Sequence, residues 1–239
     1  MCSSDLEHLL AEAVRSGIEI ATVFFRTGDE AILDRIGLDG EIDILELPAE
    51  VFSSAVTTES PQGIAALVTP KIFSVDDMLC GESPLIVIAA GLQDPGNLGT
   101  LIRSAEAFGA SGVITLPGTV SLWNAKALRA SSGSAFRLPV VAATEDEVFS
   151  RLRASGMRIF AAVAEAGVSY SDSALVGPVA LVVGNEGRGL STELLERADE
   201  RISIPCPGRV ESLNAAIAGS ILLYEAARQR AAAGGKLPG

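Results

Sequence analysis

The sequence predicts an α/β protein: a parallel β-sheet with helices on both faces, preceded by a smaller mixed α/β domain. Three observations carry this. After residue 84, strand-like and helix-like segments alternate to the end of the chain. Residues 85–90 (LIVIAA) and 179–183 (VALVV) have no polar interruption, as strands covered on both faces require. Composition also changes around Cys80-Gly81-Glu82-Ser83-Pro84, so the domains are expected over residues 1–80 and 83–232.

In the first part, residues 6–15 read as a helix and Gly17 as its stop. Residues 20–25 (IATVFF) and 64–68 (IAALV) read as strands. In the second part the strand at 85–90 is followed by a helix over 98–108, which Gly109 ends. Strands are expected at 112–116, 138–141, 158–163, 179–183 and 201–204, and helices at 123–130, 145–155, 191–197 and 212–230. Residues 231–239 are expected to fray.

Charge is uneven. Residues 1–80 carry 15 acidic and 4 basic side chains, net −11, and residues 81–239 carry 15 and 14, net −1, which sum to −12. A chain this acidic is a poor nonspecific binder of nucleic acid, so any such partner needs a local basic patch. Arg103, Lys126, Arg129, Arg137, Arg188 and Arg209 offer one. No apolar run reaches the ~18–20 residues of a membrane span, and residues 1–7 lack the pattern of a signal peptide. The three cysteines, Cys2, Cys80 and Cys206, are too scattered for a disulfide framework or a zinc site, so no metal is expected. A cytoplasmic protein follows. The single histidine, His8, lies in a segment without other catalytic signals, which argues against histidine-based acid–base chemistry.

Chemistry points to three loops at strand ends, where ligands bind in such sheets. The first, residues 91–103, leaves the strand at 85–90 and opens a helix; Asn97 reads as its N-cap, and Arg103 follows within two turns. The second is Gly184-Asn185-Glu186-Gly187-Arg188-Gly189, whose glycines let backbone pass close to a ligand. No Lys-Ser or Lys-Thr follows, so it is not a P-loop. The third runs from Ile204-Pro205 to Ser212-Leu213-Asn214-Ala215-Ala216, with Ser212 or Glu211 read as the cap of the closing helix and Asn214 in its first turn.

Together these loops resemble the three motifs of the SpoU (TrmH-like) RNA 2′-O-ribose methyltransferases of the SPOUT class. The matching segments are Asn97-Leu98-Gly99-Thr100-Leu101-Ile102-Arg103-Ser104-Ala105, Val183-Gly184-Asn185-Glu186-Gly187-Arg188-Gly189-Leu190, and Ile204-Pro205 followed by Ser212-Leu213-Asn214-Ala215-Ala216. Order and spacing agree, and the likeness covers residues 85–230. It implies a trefoil-knotted sheet, S-adenosylmethionine as cofactor, ribosomal or transfer RNA as substrate, and a homodimer paired near the small residues Ala215, Ala216, Ala218 and Gly219. Carried over residue by residue, it assigns the cofactor to Gly184, Ile204 and Leu213, with Thr115, Leu116 and Pro117 close by. It assigns the active-site polar positions to Asn97, Arg103, Glu186, Ser212 and Asn214. Residues 7–26 and 62–66 look like the ribosomal-protein-like RNA-binding domain that often precedes this catalytic domain. The family has a basic segment and a strand ahead of that first helix, where this chain has only residues 1–6, a shortened start.

Methyl transfer is an in-line displacement on an activated donor, so the protein must mainly align the reactants and manage charge on the acceptor hydroxyl. Arginine side chains keep their charge, so Arg103 reads as a phosphate ligand and charge stabiliser rather than a base. Ser212 and Asn214 would orient the ribose, and Glu186 would fix its loop or Arg103. Two alternatives compete. One is a SPOUT-fold protein that binds RNA without methylating it, which the intact polar set opposes. The other is a doubly wound oxidoreductase, which the absent Gly-x-Gly-x-x-Gly fingerprint opposes.

Overall fold

The computed structural model describes residues 5–38, 42–56 and 63–234. The chain divides into two compact units, Met1–Ile72 and Phe73–Gly239. The division falls ahead of the composition change at residues 80–84. The reason is the short helix Val75–Met78, which buries Val75 and Met78 in the core of the second unit with Ile86 and Ile114.

The first unit runs α1 (Asp5–Arg15), β1 (Glu19–Arg26), α2 (Ala31–Ile36), β2 (Asp43–Leu47), α3 (Ala49–Ala55) and β3 (Ile64–Thr69). Its three strands are ordered β2-β1-β3, with β1 parallel to β2 and antiparallel to β3. Gly17 ends α1 as expected, in the left-handed conformation (φ +62°) that costs glycine little. A small core gathers Leu10, Val23, Ile32, Ile36 and Ile64. The elements α2, β2 and α3 are not foreseen from the sequence. Four of the five β2 residues are exposed, so the strand carries no in/out alternation to read.

The second unit continues with α4 (Val75–Met78), β4 (Leu85–Ala89), α5 (Pro95–Ala107), β5 (Gly112–Thr115), α6 (Ala125–Ser131), α7 (Ser134–Arg137), β6 (Val140–Ala142) and α8 (Glu145–Ala154). It closes with β7 (Arg158–Val163), β8 (Val168–Ser169), β9 (Val179–Val183), α9 (Thr192–Arg197), β10 (Glu200–Ser203) and α10 (Ala215–Ala232). The seven strands form a wholly parallel sheet in the order β6-β5-β4-β9-β7-β10-β8.

The uninterrupted apolar runs become its centre. Leu85, Val87 and Ala89 of β4, with Val179, Leu181 and Val183 of β9, face the core made by α5 and α10. Their neighbours Ile86, Ile88, Ala180 and Val182 face the opposite core, made by α4, α8 and α9. Each fully buried aliphatic side chain stabilises by roughly 1.5–3 kcal/mol, which explains why no polar residue interrupts these strands. Central placement brings the β4 and β9 carboxyl ends side by side.

The small residues of α10 serve this chain's own packing. Ala215, Ala216 and Gly219 are buried, and a Cβ at Gly219 would collide with Leu101 of α5 and lie 3.4 Å from Val183 of β9. The hydroxyls of Ser104 and Ser220 meet at 2.7 Å and tie the two helices together. Ala218 instead lines a cleft described below.

Candidate active site

The site grows from two helix starts that differ from the sequence expectation. Helix α5 begins at Pro95, not at residue 98, and its cap is Asp94, whose Oδ1 accepts the Asn97 N–H at 3.0 Å. Proline suits the first helical position, where a missing N–H costs nothing. Asn97 therefore caps nothing, and its side-chain amide is left for other partners. At α10 the cap is Asn214, not Ser212 or Glu211; its Oδ1 accepts from Ala216 N at 2.9 Å and Ile217 N at 3.2 Å.

These two facts orient a chain of polar groups. Because the Asn214 Oδ1 caps α10, its Nδ2 is the end that donates outward, to Asn97 Oδ1 at 2.9 Å. With its oxygen so occupied, Asn97 presents Nδ2 to Glu186 Oε1, also at 2.9 Å. Glu186 further accepts the backbone N–H groups of Gln93 and Asp94 at 3.4 Å each. One residue from each motif loop thus joins a single hydrogen-bonded line. Burial pushes the Glu186 carboxyl up, but hydrogen bonds from Asn97 and from the N–H groups of Glu186, Gln93 and Asp94 outweigh it, so the group titrates below the ordinary carboxylate range. Of the two partners expected for Glu186, it fixes its loop; Arg103 instead donates through Nη1 to Ser132 Oγ at 3.2 Å.

Asn185, which no sequence argument singled out, holds the same corner. Its Nδ2 donates to the Gly91 carbonyl at 2.7 Å, and its Oδ1 accepts from Gly187 N and Arg188 N. Asparagine folding back on backbone two and three residues ahead is a turn-forming habit, so Asn185-Glu186-Gly187 was a legible signal. Gly184 is required by this turn itself: a Cβ there would lie 2.6 Å from Gly189 C and 2.8 Å from Leu190 N.

Beside this line opens a cleft of about 380 Å³ at the carboxyl ends of β7, β9 and β10. It gathers Gly184, Glu186, Ile204, Ser212 and Leu213 from the expected set. Its remaining walls include Ala162 to Ala164, at the end of β7, a run of small residues the sequence reading passed over. Thr115, Leu116 and Pro117 do not join them. They line a separate groove of about 560 Å³ with Trp123 and Glu147, because β5 lies on the far side of β4 from β9. Of the expected basic patch, Arg103, Arg188 and Arg209 are exposed. Arg137 instead pairs with Glu106 at 2.6 Å and Lys126 with Asp94 at 3.2 Å.

Residues 84–224 match the model of the SpoU rRNA Methylase family. The chain belongs to that family. It is 35% identical over 218 residues to the 23S rRNA (guanosine(2553)-2′-O)-methyltransferase RlmP of Bacillus subtilis, covering 91% of this chain and 85% of that protein. Among solved structures it resembles the SpoU methyltransferase AviRb from Streptomyces viridochromogenes in complex with the cofactor AdoMet, with a TM-score of 0.86 and 28% identity over 96% of this chain and 89% of that one. It also resembles the AdoMet-bound rRNA methyltransferase from Sinorhizobium meliloti, with a TM-score of 0.79 and 32% identity over 92% and 84% of the two chains. Family membership accounts for the convergence of the three motif loops, and the parallel sheet is the expected fold. Among the described residues no helix is long and apolar enough to cross a membrane.

Proposed function

We propose that this SpoU-family chain transfers a methyl group from S-adenosylmethionine to a ribose 2′-hydroxyl of RNA, ribosomal RNA being the class its relatives' names favour. The observation that carries this is the Glu186–Asn97–Asn214 line beside a cleft bounded by backbone and small apolar residues. The cleft fits the cofactor by chemistry and size. Its volume lies within the few hundred Å³ typical of small-molecule sites. Val183, Ile202 and Leu222 supply apolar wall, and Glu186 and Glu211 supply negative charge to a cationic ligand. Gly184, Ile204 and Leu213, which line the cleft, would hold it.

The bound cofactor supplies an electrophilic sulfonium methyl. The chain's own residues align the acceptor. Asn97, Glu186 and Asn214 set the shape of the three loops, and Ser212 at the cleft's edge contacts the ribose. Arg103 binds the adjoining phosphate and stabilises negative charge developing on the 2′-oxygen. The intact polar set favours catalysis over RNA binding alone. The amino-terminal unit, ribosomal-protein-like, guides the RNA by shape rather than by charge. The protein works in the cytoplasm, as a trefoil-knotted homodimer. The pairing surface is the exposed apolar stripe of α10, where Ile217 and Tyr224 are 51% and 54% exposed two turns apart.

The test incubates the full chain with methyl-labelled S-adenosylmethionine and unmodified ribosomal RNA. Label at one ribose 2′-oxygen is expected. Cofactor binding without label in any ribosomal or transfer RNA would leave the binding-only alternative, and sedimentation at the single-chain mass of 24.6 kDa would reject the dimer.

A further inference from the structure

Ser132 ends α6 in the left-handed conformation, at φ +49°, directly before Gly133 at φ +84°. That position after a helix is one that glycine adopts freely and serine only under strain. Serine there needs a reason, and its hydroxyl supplies one: Oγ accepts the Arg103 Nη1 hydrogen at 3.2 Å. A non-glycine residue held in this sparsely populated conformation points to function.

The contact depends on a second residue. Gly99 lies one helical turn before Arg103, on the same face of α5. A Cβ at Gly99 would collide with the Ala127 carbonyl oxygen, and would lie 2.6 Å from Ala130 Cβ and 2.9 Å from Ser131 N. Without that Cβ, α6 lies backbone-close against α5, and its last turn delivers Ser132 to Arg103. The partner's chemistry also matters. Arg137 meets a carboxylate, that of Glu106, which neutralises it. A hydroxyl fixes one guanidinium nitrogen without cancelling the charge, and leaves the other donors for ligands.

We propose that Ser132 is a positioning residue for methyl transfer: it fixes the Arg103 guanidinium, and Gly99 sets the helix spacing that brings it there. The proposal rests on the role given above to Arg103. Ordering a long, exposed side chain before substrate arrives moves its entropic cost out of the chemical step.

The test compares Ser132→Gly, Ser132→Asn and Arg103→Ala, and the Ser132→Gly/Arg103→Ala double variant, in the full chain. Single-turnover methylation is measured on unmodified transcripts of ribosomal RNA, with thermal unfolding and calorimetric titration by S-adenosylmethionine alongside. Ser132→Gly relieves the backbone strain, so its unfolding temperature should not fall. Its turnover should drop roughly tenfold with cofactor affinity unchanged. Asparagine tolerates the left-handed conformation and offers an amide oxygen, so Ser132→Asn should recover much of the rate. In the Arg103→Ala background Ser132→Gly should cost nothing further. Unchanged turnover in Ser132→Gly while Arg103→Ala is impaired overturns this proposal alone. So does a Ser132→Gly defect that persists undiminished without Arg103. Near-normal turnover in Arg103→Ala removes the role of Arg103, and this proposal with it.

Discussion

The two units of this chain use their residues differently. Residues 1–72 carry 4 basic and 13 acidic side chains, net −9, and residues 73–239 carry 14 and 17, net −3, together −12. In the second unit, β4 and β9 are buried along their whole length between two helical layers. In the first, β2 is exposed over most of its length and the core is far smaller. A sheet buried on both faces fixes where its strands end, and loops at those ends inherit that precision. The motif residues all lie in the second unit, where Glu186, Asn97 and Asn214 meet within hydrogen-bond distance across three loops. The candidate site and the largest core coincide, and the acidic surplus is concentrated in the other unit.

The sharpest way to break this contrast is Arg103→Ala. If the second unit alone carries the chemistry, single-turnover methylation should fall about 10²–10³-fold while calorimetric cofactor affinity stays near wild type. Arg103→Lys should rescue poorly, because lysine keeps the charge but loses the planar fork. Near-normal turnover in Arg103→Ala would return that arginine to an ordinary surface role.

Gly184→Val should have the next largest effect. The added atoms would strike the backbone of Gly189 and Leu190 before reaching any ligand, so the loop must deform. Cofactor affinity should weaken by about tenfold or more, with a stability loss of roughly 1–3 kcal/mol in denaturant titration. Wild-type affinity in the folded variant would remove this loop from the cofactor site.

Acidity tests the polar line more gently. The Glu186 carboxyl titrates below its ordinary range, so the folded site holds it as the anion more firmly than the unfolded chain does. Its contribution is complete above the ordinary carboxylate range and is lost as pH falls through the lowered value. Cofactor affinity should therefore be flat across neutral pH and decline only in acid, and Glu186→Gln should remove that acid limb. A decline centred near neutrality would assign the titration to some other group.

The smallest effect is expected in the first unit. Asp43 and Glu46 are exposed on β2, and neutralising both should leave turnover on bound RNA unchanged. Affinity measured against salt should change by no more than severalfold. A larger gain would mean that the amino-terminal acids face the RNA backbone directly.

Legibility followed the same division. In the second unit the long apolar runs and the glycines placed most strands and helices within a few residues, while the short α4, α7 and β8 went unread. Its three loops announced themselves by residue type and order. In the first unit α2, β2 and α3 went unread, because short, largely exposed segments leave no periodic pattern. Errors at the site were errors of competition. Asp94 and Asn97 are both good caps, as are Ser212 and Asn214, and sequence does not rank two candidates three or two residues apart. Thr115, Leu116 and Pro117 line a groove apart from the Gly184 cleft, a separation the sequence does not show because strand order is not written in chain order.

By itself, then, the sequence determined the alternating α/β plan and the three loops with their candidate residues, since periodicity, glycine-rich turns and residue order are local properties. Tertiary structure decided which amides were free. The Asp94 cap released Asn97, the Asn214 cap directed its own Nδ2 outward, and the insertion of β9 between β4 and β7 brought Glu186 to both. It also decided that the small residues of α10 pack against α5, and that Ser132 meets Arg103 across the gap left by Gly99. Such pairings depend on contacts between segments distant in the chain, which only the closed, densely packed fold specifies.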